Sequence, residues 1–127
     1  MEKRAEMALV IPVLPARNVS EAVRFYVDRL GFELRFTDRE DDPQYAGVRR
    51  GNAMLHLQFQ YEKDFQAGSA GRCVLRVVVD DPDALCEEYK AKGVVNDSTK
   101  PEDTSWNTRE FDFADPNGNM LVFLRAL

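Results

Sequence analysis

The chain has 127 residues, 44% of them hydrophobic and 31% charged, with a net charge of −5 at pH 7. That length supports one compact domain with a real core, and no apolar run approaches the roughly 20 residues needed to span a bilayer, so disordered and membrane-spanning classes are excluded. Lysines and arginines are dispersed rather than gathered into a stripe, which argues against a nucleic-acid partner and leaves an acidic surface suited to a neutral or cationic ligand.

In chain order, Leu9 to Leu14 reads as a strand and Arg17 to Gly31 as a helix. In the helix Val19, Ala22, Val23, Tyr26, Val27 and Leu30 recur at helical spacing, Asn18 with Glu21 forms a capping box, and Gly31 supplies the stop. Phe32 to Thr37 alternates as a half-buried strand. A polar loop, Asp38 to Pro43, follows. Tyr45 to Arg50, a turn at Gly51-Asn52, and Met54 to Phe59 form a hairpin, with Leu55, Leu57 and Phe59 on one face and Met54, His56 and Gln58 on the other. Residues 61–71, with few apolar positions and two glycines, read as a linker between a first module of about 7–62 and a second of about 71–127.

The second module repeats the order. Cys73 to Val79 is an apolar strand, and Asp81-Pro82 opens a helix through Leu85, Cys86 and Tyr89 that ends at Gly93. Val94 to Thr99 is expected as a strand, Lys100 to Ser105 as a loop and Arg109 to Ala114 as an alternating strand. The turn Asp115-Pro116-Asn117-Gly118 leads into the last strand, Asn119 to Arg125. Cys73 and Cys86 show no paired or redox spacing and read as buried thiols. The first residues lack an apolar segment with a cleavage site, so a cytoplasmic location is expected.

Gly51-Asn52-Ala53-Met54-Leu55 echoes Gly118-Asn119-Met120-Leu121, so the fold class is α+β: two βαβββ modules in tandem, with curved mixed sheets around a cleft. One helix cannot cover both faces of its sheet. Pairing modules, within or between chains, would enclose a pocket between the sheets.

Phe25-Tyr26-Val27-Asp28-Arg29-Leu30-Gly31-Phe32 resembles the FYxxxLGF helix end of the vicinal oxygen chelate superfamily (glyoxalases, bleomycin resistance proteins and dioxygenases), and Asp115-Pro116-Asn117-Gly118-Asn119 resembles its DPxGN turn. Within it, Ile11 to Leu14, Tyr45 to Gly51, and Trp106 ahead of Arg109-Glu110-Phe111 are similar to the antibiotic-sequestering bleomycin-resistance branch. That resemblance implies a homodimer that exchanges its first strand across a proline, with Pro12 at the hinge, and a small antibiotic-like ligand as the partner.

Catalytic members of the superfamily hold a divalent metal with one ligand from each of four strands. By resemblance those positions fall near Pro12, His56, Val74 and Val122. A catalytic site needs about three protein ligands, and only His56 offers a donor, so no metal or cofactor is expected. Gln58 and Glu110 would enter only under another strand register. The alternative, a metal-dependent lyase, isomerase or dioxygenase of the same superfamily, rests on His56. That histidine has two readings, a strand residue bonded to a neighbour and a direct ligand contact.

A planar ligand is best held by aromatic faces, each contributing roughly 0.5–2 kcal/mol. The resemblance assigns Trp106 to a stacking position and Phe36 and Tyr45 to other pocket aromatics, with Gln58 as a polar pocket residue. Ordinary packing is the alternative reading of each of the three aromatics, and Trp106, the sole tryptophan, set in a polar loop, is the first candidate for ligand contact. Arg76 stands where bleomycin binders place a tryptophan, and an unpaired guanidinium there would repel a cationic drug.

Overall fold

The computed structural model describes residues 2–67 and 73–127. It contains two four-stranded mixed sheets. The first joins β1 (Val13–Ala16), β2 (Glu33–Thr37), β3 (Tyr45–Arg50) and β4 (Ala53–Phe59) in the order β1-β4-β3-β2. The second joins β5 (Val74–Val78), β6 (Glu102–Asp103), β7 (Thr108–Ala114) and β8 (Met120–Ala126) in the order β5-β8-β7-β6. In each sheet the first strand runs parallel to the last, and the remaining pairs are antiparallel. The repeat seen in the letters is therefore a repeat of topology.

The first helix forms as its pattern requires. The Asn18 side chain accepts from the Glu21 backbone N–H at 2.9 Å, capping α1 (Val19–Arg24), and a π-helical turn (Phe25–Arg29) continues it. Gly31, at φ +78°, ends it in the left-handed region, where a side chain would be strained. In the second module Asp81 caps α3 (Pro82–Ala91) by accepting from the Ala84 N–H at 3.0 Å. The expected linker contains a short helix, α2 (Glu62–Gln66), and its later residues, 68–71, lie outside the described residues.

The modules share one core. Leu14, Tyr26, Leu30, Leu55 and Leu57 from the first belong to the same buried cluster as Tyr89, Phe111, Leu121 and Phe123 from the second. Polar contacts tie the two together: the Tyr26 hydroxyl donates to Asp115 at 2.7 Å, and Tyr89 donates to the Leu30 carbonyl at 2.9 Å. Arg50 grips Glu88 with two bonds of 2.7 and 2.9 Å. Each sheet thus spends one face on the common core and presents the other outward.

Three expectations need correction. Pairing of the first strand begins at Val13, not Leu9. The Pro12 carbonyl accepts from the His56 N–H at 2.9 Å, but proline has no N–H to carry the ladder further upstream. The preceding arm is exposed and apolar, with Met7 98% and Val10 90% accessible. Val94 to Thr99 is not a strand: Asn96 takes bonds from the Ser98 and Thr99 side chains and its carbonyl from the Thr99 N–H, which closes a turn. The edge strand lies instead at Glu102–Asp103, in the stretch expected as loop. Of the two thiols, Cys86 is buried and Cys73 only partly so; both are free. No helix among the described residues is long and apolar enough to cross a membrane.

Candidate functional site

On the outward face of the first sheet, one row across the strands reads Val13, His56, Gly47 and Phe36. Strand alternation puts Leu55 and Leu57 into the core and so turns His56 out, as its spacing predicts. Tyr45 stands in the next row, opposite Gln58. Its hydroxyl shares a 2.7 Å hydrogen bond with Nδ1 of His56. The rings form a compact set: His56 lies edge-on to Phe36 and to Tyr45 at 5.2 Å each, and Phe36 and Tyr45 are nearly parallel at 6.2 Å. Three of the expected residues are therefore brought together, and of the two readings of His56 the structure shows the strand residue bonded to a neighbour, with its ring on the outward face. Gln58 is exposed beside them, its amide oxygen 3.4 Å from Nε2 of Gln60.

The outward face of the second sheet carries the charges. Arg76 reaches Glu110 at 3.0 Å, and Thr108 donates to the same carboxylate oxygen at 2.8 Å. Arg76 foremost, then Thr108, holds the Glu110 carboxyl below the usual range, and the Trp106 indole N–H adds to the effect. Trp106 sits at the tip of the β6–β7 hairpin. The Thr104 and Thr108 hydroxyls meet across it at 2.7 Å, and Asn107 takes a positive φ of 66°. Trp106 is 62% exposed, and Val78 on the same sheet is 77% exposed. Most of the Trp106 surface is therefore left uncovered within the chain.

No hydrogen bond or ring contact among the described residues joins the Phe36–Tyr45–His56 set to the Arg76–Glu110–Trp106 set. A groove of about 910 Å³ does run between the modules, where β4, β5 and α3 approach, but of the expected site residues only Pro12 and Arg76 line it. The two sets of expected site residues thus lie on separate sheet faces, and apart from Pro12 and Arg76 outside that groove.

Strand pairing also sets the neighbours of the four positions that the resemblance assigned to metal ligands. His56 faces Val13 rather than Pro12, and Val122 faces Arg76 rather than Val74. Pro12, His56, Val74 and Val122, together with the pairing neighbours Val13 and Arg76, offer one imidazole among aliphatic side chains and a guanidinium, which does not fit a divalent cation. Among the described residues no three His, Cys, Asp or Glu side chains converge. Reading the sequence missed the roles of Gly47, Thr108 and Glu110. For Glu110 a signal was present, since its alternation with Phe111 and Phe113 turns it to the Arg76 side of the sheet.

With this geometry in place, residues 8–123 match the Glyoxalase/Bleomycin resistance protein/Dioxygenase superfamily, and the chain belongs to that family. Bleomycin resistance proteins of Geobacillus stearothermophilus and Staphylococcus aureus are each 26% identical over 130 aligned positions, covering 92% of this chain and 96% of theirs. Among solved structures, the bleomycin-binding protein of the bleomycin producer Streptomyces verticillus, complexed with copper(II)-bleomycin, is similar at 33% identity and a TM-score of 0.76, over 94% of this chain and 97% of that one. TnmS3, an antibiotic-binding protein of Streptomyces sp. CB03234, is similar at 25% identity and a TM-score of 0.74, over 98% and 100%.

Proposed function

We infer that the protein binds and sequesters a small peptide-like or aromatic antibiotic, bleomycin or a related molecule, without a metal of its own. The observation that carries this reading is the pair of outward sheet faces, one bearing three associated aromatic rings and the other an exposed tryptophan beside a paired arginine. Bringing the first face of one copy against the second face of another would enclose a planar ligand between them. The exposed apolar arm before Pro12 supports a homodimer, and its exchange between copies would cover Met7 and Val10. Two free thiols suit the reducing conditions of the cytoplasm.

Arg76 does not speak against a cationic drug. Its pairing with Glu110 neutralises the local charge, so bleomycin remains within the ligand class. Calorimetric titration with bleomycin and with a planar intercalating antibiotic tests the proposal. Micromolar or tighter binding at about one ligand per chain is expected, and no binding up to about millimolar ligand would refute it.

A further inference from the structure

We propose that Gly47 is the positioning residue of the aromatic face: its missing side chain is the seat of Phe36. The inference rests on the ligand-binding reading of that face, but its geometry stands separately. Gly47 occupies the middle of β3, an unfavourable place for glycine, and it is absent from the positive-φ glycines at 31, 51, 93 and 118. Backbone conformation therefore does not demand it. Space does: a Cβ at Gly47 would meet Cδ1 and Cζ of Phe36 at 2.8 and 2.9 Å, with Cε1 closer still.

The ring arrives there by a second device. The β2–β3 register shifts between Leu34 and Phe36, and that irregularity sets Phe36 opposite Gly47. Phe36 is 42% exposed, so burial in a core does not hold it. It is fixed from below by the bare backbone at Gly47 and from the side by His56 and Tyr45. Any side chain at position 47 forces the ring off the sheet and away from both neighbours. A larger residue would serve the strand better and the ligand worse.

The test compares wild type, Gly47→Ala, Phe36→Ala and the double variant. His56 is the only histidine in the chain, so its ring protons report directly on the neighbouring rings by NMR. Gly47→Ala is expected to keep the melting temperature at or above that of wild type while moving the His56 ring resonances. It should also weaken binding of bleomycin or of a planar intercalating antibiotic about tenfold. In the Phe36→Ala background it should change neither readout further, because the ring it displaces is gone. Unmoved His56 resonances in Gly47→Ala, or losses of affinity that simply add in the double variant, would overturn the proposal. If wild type binds neither probe, the sequestration reading fails, and the His56 resonances alone decide the role of Gly47.

Discussion

Replacing Tyr26 with phenylalanine isolates one of the bonds that fasten the modules together. The Asp115 carboxylate, itself buried, accepts four hydrogen bonds: Asn117 and Asn119 backbone N–H groups at 2.8 and 2.9 Å on one oxygen, and Tyr26 hydroxyl and Asn119 amide at 2.7 and 2.9 Å on the other. Burial, reinforced by the neighbouring carboxylate, pushes the Tyr26 hydroxyl far above its ordinary pKa, so it remains a donor throughout the folded range. Phenylalanine keeps the edge-on ring contacts to Phe25 and Phe32 at 5.6 Å and removes only the hydroxyl. Loss of one bond to a buried charge costs about 1.5–3 kcal/mol. For a chain of this size that corresponds to a fall in melting temperature of roughly 5–15 °C. Urea denaturation followed by circular dichroism should show a lower midpoint at unchanged slope. A loss below about 0.5 kcal/mol would refute the argument, because a carboxylate so enclosed cannot replace the lost donor with water without cost.

Charge at the second face gives a prediction of opposite sign for opposite ligands. Glu110→Gln leaves Arg76 unpaired, which at a separation near 5 Å amounts to roughly 1–2 kcal/mol; affinity for a cationic antibiotic should fall about five- to thirtyfold, and affinity for an anionic analogue should rise. Acid stability follows from Glu88, whose carboxyl the Arg50 hydrogen bond holds below its ordinary value of 4.5. The folded chain takes up that proton less readily than the unfolded one, so the stabilisation is present above about pH 4.5 and is lost as pH falls through the folded value. The pair is partly exposed, so Glu88→Gln should cost at most about 1 kcal/mol at neutral pH and flatten the dependence of melting temperature on pH below 5.

The fold was legible because its signals are local. The hairpin pattern around Gly51-Asn52 placed β3 at Tyr45–Arg50, Asn18 and Asp81 cap the helices as their spacing predicts, and the repeat foretold the matching strand orders. The two stretches that carry the family likeness prove to touch, through Tyr26 and Asp115, so they specify how modules join rather than what they bind. Val94 to Thr99 misled because its apolar start is followed by an asparagine whose side chain closes a turn. At the candidate site Phe36, Tyr45 and His56 were found by spacing and resemblance. Gly47 was invisible, since its meaning depends on a register shift in a neighbouring strand. The partner of Arg76 went unread because it lies 34 residues away, across a strand pairing that no local pattern announces.

Mixing two disabled chains tests most directly whether the cleft is built by two copies. Phe36→Ala removes a ring from the first face and Trp106→Ala the tryptophan from the second, and each variant alone should bind the antibiotic weakly. Unfolded and refolded together in equal amounts, they should regain roughly a quarter of the wild-type sites, all in mixed dimers where an intact first face meets an intact second face. If titration of the mixture recovers no tight sites while the wild type binds, each chain forms its pocket alone and the proposed assembly is wrong.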